Sequence, residues 1–272
     1  MQNGWILLRL HRICDWKCGQ ADHSLRGGGS CNINMRLDRY LAEAGAGTRS
    51  EVKKKIAAAE VCVNGETVRD PGMKVDETAD LVTLGGRPVR YAAFEYYMLN
   101  KPAGVISASR LTGDLRDKDQ VCVTDLITDR IRNDLFPAGR LDKDTEGLLL
   151  ITNDGDLAHR LLSPKKHVDK TYYSELDGML DEASRNRLEA GVDIGDEKPT
   201  LPCRIRVLSG GAACEITIRE GRFHQIKRMF ETAGLKVTYL KRLSMGPLTL
   251  DPKLKPGEYR PLTEQELKLL KQ

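Results

Sequence analysis

The stretch Phe136-Pro-Ala-Gly139-Arg140-Leu141-Asp142-Lys143-Asp144-Thr145-Glu146-Gly147-Leu148-Leu149-Leu150-Ile151-Thr152 organises the residues on both sides of it. A charged segment runs straight into Leu148–Thr152, a short and nearly continuous apolar run that predicts a strand buried on both faces. Asn153-Asp154-Gly155 turns the chain. Leu157, Leu161 and Leu162 then fall at helical spacing. Asp142, Asp144 and Glu146 alternate ahead of Gly147 in the manner of a calcium loop. The twelfth position from Asp142 is Asn153, however, where a bidentate Glu is needed, and apolar strand residues precede it, so the calcium reading fails. A two-metal RNA hydrolase using the same three acids stays open as an alternative, although no His cluster or distant acidic motif offers a partner.

Tyr96-Tyr-Met-Leu-Asn100 reads as a strand entering Lys101-Pro102-Ala-Gly104, and residues 106–121 read as a polar loop. Towards the C-terminus, Cys214-Glu-Ile-Thr-Ile218 alternates as a strand does. Glu220-Gly-Arg-Phe-His-Gln-Ile-Lys-Arg-Met-Phe230 follows, with Ile226, Met229 and Phe230 on one helical stripe and Gly234 placed to stop the helix. Between Glu220 and Arg242 six basic residues (Arg222, Lys227, Arg228, Lys236, Lys241 and Arg242) face two acids, Glu220 and Glu231. His224, taken alone, reads as a structural histidine.

On the N-terminal side, Leu37, Tyr40, Leu41 and Ala44 mark one face of a helix that Gly45-Ala-Gly47 ends. Thr48-Arg-Ser-Glu51 is a capping box that starts a second helix. Val61-Cys-Val63-Asn64-Gly65-Glu-Thr-Val68 is a hairpin around Asn-Gly, and Asp80–Leu84 supplies another strand. Met35–Ala59 carries Arg36, Arg39, Arg49, Lys53, Lys54 and Lys55 against Asp38, Glu43 and Glu51. A face of that kind suits RNA phosphate contacts or is simply a solvated helix surface.

The whole-chain quantities bound these readings. At 272 residues the chain has room for about two domains. With 40% apolar and 30% charged residues it is neither collagen-like nor wholly disordered. Its net charge of +4 identifies no partner, because the charge is concentrated in the two basic patches. The seven cysteines are odd in number and scattered, the pattern of free thiols in a reducing cytoplasm. No run reaches the roughly 18 apolar residues of a membrane span, so no membrane partner is expected. Residues 1–34 read as a disordered extension, with translation starting at Met35 as the favoured origin of the difference in character. Their His11, Cys14, Cys18, His23 and Cys31 do not follow a common zinc-finger spacing.

Two resemblances follow from these motifs. Arg36-Leu-Asp-Arg-Tyr-Leu41, Gly47-Thr-Arg-Ser50 and Val63-Asn-Gly65 resemble the S4 domain, an RNA-binding module. Asn100-Lys-Pro102, Gly139-Arg-Leu-Asp142-x-Asp-Thr-x-Gly-Leu-Leu149, Lys170-Thr-Tyr172, Glu220-Gly-Arg-x-His-Gln-Ile-Lys-Arg-Met229 and Leu243-Ser-Met-Gly-Pro-Leu-Thr-Leu250 occur in order and resemble the pseudouridine synthases of the RsuA and RluB type. The tail Pro256-Gly-Glu-Tyr-Arg-Pro-Leu262 is most similar to the small-subunit branch.

The resemblance implies an α+β chain. A small two-helix S4 domain with its linker would occupy 35–94. A catalytic domain with a mixed, largely antiparallel sheet and a cleft across its middle would occupy 95–272. It implies isomerisation of a uridine in 16S ribosomal RNA, alone or in an assembling small subunit, by a monomeric cytoplasmic enzyme. The rival readings are a 23S target and a non-catalytic S4-type ribosome-assembly protein. The reaction breaks N1–C1′, turns the uracil and joins C5 to C1′, so it requires no cofactor, and no metal is expected.

By motif match the catalytic carboxylate is Asp142. Arg140 would fill the space of the flipped base, Tyr172 would stack on uracil, and Lys227 would pair with Asp142. Taken singly, Tyr172 reads as a strand core residue and Lys227 as part of a solvated helix face. Arg36, Arg39, Arg49, Lys53, Lys54 and Lys55 would contact RNA on the S4 side, and Arg222, His224, Gln225 and Arg228 on the other. Asp144 and Glu146 are read as loop and capping residues.

Overall fold

A computed structural model describes residues 34–109, 120–163, 168–208 and 210–272. The expectations for residues 1–33 and for most of the 106–121 loop lie outside the described residues.

The first module opens with β1 (Asn34–Arg36), α1 (Leu37–Glu43) and α2 (Arg49–Ala57). Gly45, at φ +76°, ends α1. The capping box forms as its residues dictate: Thr48 accepts from the Glu51 amide, and the Glu51 carboxylate accepts from the Thr48 amide at 2.7 Å. β2 (Val61–Val63) and β3 (Glu66–Thr67) pair around Asn64 and Gly65. Both turn residues have positive φ, as a primed hairpin turn needs. β4 (Lys74–Asp76) pairs with β1, and β5 (Val82–Leu84) and β6 (Arg87–Pro88) complete a sheet of order β3-β2-β5-β6. Leu37, Tyr40, Leu41, Val52, Ile56, Val61 and Val63 form its core.

The second module is built on a nine-stranded sheet. In chain order it contains β7 (Tyr96–Lys101), β8 (Phe136–Pro137), β9 (Glu146–Thr152), α3 (Gly155–Leu162), β10 (Lys170–Leu176), α4 (Glu182–Ala190), β11 (Arg204–Val207), β12 (Ala213–Ile218), α5 (Gln225–Glu231), β13 (Val237–Met245), β14 (Leu248–Thr249), β15 (Tyr259–Pro261) and α6 (Glu264–Lys271). The strand order is β11-β12-β10-β13-β9-β7-β15, with β14 on β13 and β8 on β9. β9 and β13 are parallel and their neighbours antiparallel, so the sheet is mixed and largely antiparallel. The run from Leu148 to Ile151 is apolar throughout because both its faces are covered. Leu149 and Ile151 join the core on one side, and Leu148 and Leu150 the core on the other.

The β9–β13 pairing depends on Gly147. It stands opposite Arg242 at φ +101°, and a Cβ there would lie 2.3 Å from the Arg242 carbonyl oxygen and 2.7 Å from its nitrogen. Only glycine fits that backbone angle and that close approach.

The modules meet at Arg132, which is 5% exposed. Its guanidinium bonds both carboxylate oxygens of Asp134, and its Nη1 reaches Glu43 of α1 at 2.8 Å. Tyr91 donates to the same Glu43 at 3.0 Å and stacks on Tyr40. Among the described residues no helix is long and apolar enough to cross a membrane.

Candidate active site

Asp142 sits in the turn that leads into β9, and that turn is clamped from beneath. Lys101, the last residue of β7, is fully buried. Its Nζ donates to the carbonyl oxygens of Pro102 (3.0 Å), Lys143 (3.1 Å) and Thr145 (2.9 Å). Ser107 donates to the Leu141 carbonyl at 2.8 Å and accepts from its amide. The backbone is therefore fixed on both sides of Asp142.

Burial pushes the Lys101 ammonium down to about 8, against the pull of Asp144, Glu146 and Asp142. Because the folded value lies below the ordinary 10.5, the unfolded chain binds this proton more tightly between those limits. The contribution of this group to stability accordingly rises with pH through that window and is smallest at neutral pH. Lys101→Met takes a donor from three carbonyls, of which the Lys143 oxygen keeps the Gly104 amide and the Thr145 oxygen is left buried without this partner, and is expected to cost about 3 kcal/mol. Denaturant titration would show the loss, and the gap to wild type should widen from pH 8 to 10.5. A gap that narrows over that range would contradict the assignment.

Above this turn lies a cleft of about 740 Å³, lined by Arg140, Asp142, Tyr172, His224 and Lys227 among others. α5 delivers Lys227, whose Nζ lies 3.4 Å from Asp142 Oδ2 and 2.7 and 2.8 Å from the two oxygens of Asp144. The hydrogen bond from Lys227 holds the Asp144 carboxyl below the usual carboxylate range. His224, at the head of α5, adopts a left-handed backbone (φ +47°). It places Nε2 3.7 Å from Asp142 Oδ1 and stacks on Phe223. Tyr172 projects from β10 into the floor, 7% exposed, and its hydroxyl makes no hydrogen bond among the described residues. Arg140 is exposed at the rim and likewise has no partner there.

One expectation changes in part. Asp144 lies in the loop as read, but neither it nor Glu146 caps a helix: Asp144 is the nearer partner of Lys227, and Glu146 begins β9 and accepts from Tyr239 at 2.8 Å. Asp142 and Asp144 converge on an ammonium while Glu146 turns away, so the three acids do not gather as a metal site. No group of three such ligands occurs among the described residues.

The cations expected to meet RNA separate into two groups. Arg222 bonds Glu220 and the Lys198 and Pro199 carbonyls, and Arg228 bonds Asp196 and the Ile194 and Phe223 carbonyls. Gln225 is buried, accepting from the Arg222 amide and donating to Glu220. All three hold the loop ahead of α5 in place. On the first module, Arg36 is bonded to Asp38, Arg39 to Glu43, and Lys55 to the Ala46 carbonyl. Lys53 lies 3.9 Å from Asp38. Arg49 and Lys54 are exposed, with no hydrogen bond or ion pair among the described residues.

Sequence reasoning gave no role to Lys101, Lys170 or Arg242. All three belong to the family motifs or to the second basic patch, but nothing local signalled that they are buried.

Residues 35–82 match the S4 domain family, and residues 95–232 match the family described as RNA pseudouridylate synthase. YtzG of Bacillus subtilis (strain 168), described as an uncharacterized RNA pseudouridine synthase, is 49% identical over 240 residues, covering 87% of this chain and 98% of that protein. Ribosomal small subunit pseudouridine synthase A of Escherichia coli (strain K12) is 37% identical over 234 residues, covering 86% and 98%. A crystal structure of a pseudouridylate synthase superposes with a TM-score of 0.60 at 35% identity, covering 87% of this chain and 99% of that one. With an S4 module ahead of a mixed sheet whose cleft holds Asp142, and with relatives aligned along nearly their whole length, this chain belongs to the RsuA-type RNA pseudouridine synthases, enzymes that isomerise uridine in RNA.

Proposed function

We propose that the enzyme converts a uridine of 16S ribosomal RNA, free or in an assembling small subunit, and works as a cytoplasmic monomer with an S4 domain and linker over 35–94 and a catalytic domain over 95–272. One observation carries the reading of the site. Asp142 lines a cleft of nucleotide size together with Arg140, Tyr172 and Lys227, whose ammonium lies 3.4 Å from its carboxylate. The target uridine must leave its stack to enter. Arg140 takes the vacated space, Tyr172 stacks on the uracil, and Asp142 acts at the ribose, where a carboxylate can attack C1′ or stabilise an oxocarbenium-like centre. The names of the relatives and the C-terminal tail favour the small-subunit RNA. Mapping pseudouridines chemically in rRNA from cells with and without the gene tests this. A 16S position that loses its signal is expected, and loss confined to 23S RNA would move the target.

Of the six cations expected on the helices, Arg49 and Lys54 have no hydrogen-bond or ion-pair partner among the described residues, so RNA affinity from this face should rest on them. Replacing both with Ala should lower the slope of log K against log salt by about 2, since each cation that neutralises a phosphate adds about one to it. An unchanged slope would remove this face from the interface.

A further inference from the structure

Two buried cations on the cleft floor form no ion pair among the described residues, Asp169 acting on Lys170 only from a distance. Lys170 is 7% exposed and Arg242 is 2% exposed, and both line the cleft. They stand on neighbouring strands around Tyr172, which is register partner to Arg242. Lys170 Nζ donates to the Val168 carbonyl at 3.1 Å. Arg242 Nε donates to the Leu148 carbonyl at 2.7 Å, while its Nη2 is buried with no partner among the described residues. Burial, and after it the charge of Arg242, pull the Lys170 ammonium below its usual value. Neither residue forms an ion pair among the described residues. Buried cations without a counter-charge are costly to keep, and such pairs are found where a ligand supplies the missing negative charge.

The reaction supplies negative charge at this depth. Uracil enters neutral. When C1′–N1 breaks, the bond's electron pair stays on the ring, and its charge spreads over N1, O2 and O4. The ring turns, C5 returns an electron pair to C1′ to form the new bond, and the C5 proton then leaves to a base or water as N1 takes one up, so the ring ends neutral. Charge on the ring oxygens thus exists only between the two bonds. A backbone phosphate is charged throughout, and its bulk and hydration suit the open rim of a cleft better than a floor that is almost wholly buried.

We propose that Arg242, with Lys170 beside it, is a catalytic residue that holds the negative charge on the carbonyl oxygens of the detached uracil. The proposal rests on the pseudouridine synthase reading of the cleft. Fixed donors aimed at charge that develops during reaction act most strongly where water is excluded.

Fluorine at C5 stabilises the uracil anion by itself and should therefore substitute in part for the cations. Full-length wild type, Arg242→Gln and Lys170→Gln are given 16S and 23S transcripts made with uridine or with 5-fluorouridine. Single-turnover conversion is followed by digestion and mass spectrometry, as pseudouridine from uridine and, because C5 of the fluorinated ring has no proton to lose, as the C-glycoside that has added water across N1–C6 from 5-fluorouridine; RNA affinity is measured separately. Arg242→Gln should slow uridine conversion about 100-fold and 5-fluorouridine conversion about tenfold or less, with affinity unchanged. Lys170→Gln should show the same selectivity with a smaller loss, and it carries the test if the Arg242 variant does not fold. Equal losses on both transcripts would overturn the proposal, as would weaker binding with unchanged conversion at saturating RNA, the result expected of phosphate ligands. Wild type that converts neither transcript would overturn the activity itself and this inference with it.

Discussion

Asp142→Asn is expected to abolish pseudouridine formation, by about 10⁴-fold or more, as removal of a group acting directly on the reacting bond does. Asn preserves the size of the side chain but removes the charge that acts at C1′. The fold should not notice the change. The turn is held through backbone carbonyls by Lys101 and Ser107, not through the Asp142 side chain. Lys227 keeps its closer partner Asp144, so no ammonium is stranded. RNA affinity should stay within a few-fold of wild type, since phosphate contacts carry most of it. Single-turnover conversion, filter binding and a melting curve on one preparation would test the three statements together. Turnover retained in Asp142→Asn would refute the catalytic assignment, whereas lost turnover accompanied by a large fall in Tm would leave folding as the cause.

The second large effect is on stability. Gly147→Val forces a branched side chain into the space of the Arg242 backbone, where even a Cβ would stand 2.3 Å from the carbonyl oxygen. It also imposes a φ of +101° that β-branched residues avoid. Strain and overpacking together should cost about 3 kcal/mol or more, lowering Tm by about 10 °C. The damage falls at the parallel junction of β9 and β13, so the Asp142 turn should loosen and activity fall before global melting. Gly155→Ala is the control. It begins α3, and its new methyl meets nothing within 4 Å, so its Tm should match wild type. Equal melting of Gly147→Val and wild type would show that the strands can separate at that point without penalty.

Much of the architecture was legible because its signals are local. The Thr48–Glu51 box, the Asn64-Gly65 turn and the apolar run of β9 each specify their own geometry within a few residues, and each appears where expected. Asp142, Tyr172 and Lys227 were named from motif and do meet in one cleft. What remained hidden depends on distance through the fold. Lys227 is 83 residues from the Asp144 that binds it most closely, so spacing could not show that Asp142 shares its cation. Counting charges could not show that Arg36, Arg39 and Lys55 are engaged by neighbours within the module. Lys101, Lys170 and Arg242 look like solvent-seeking residues on paper. Only the sheet shows that each is enclosed.

The junction at Arg132 bears on how such a protein can be rebuilt. One guanidinium satisfies Asp134 on its own module and Glu43 on the other, with Tyr91 closing the ring from the connecting segment. Exchanging the first module for one that lacks the equivalents of Glu43 and Tyr91 would leave the buried Arg132 with Asp134 alone. These four positions therefore behave as a single cassette, and a chimera that moves them together has its joint already made.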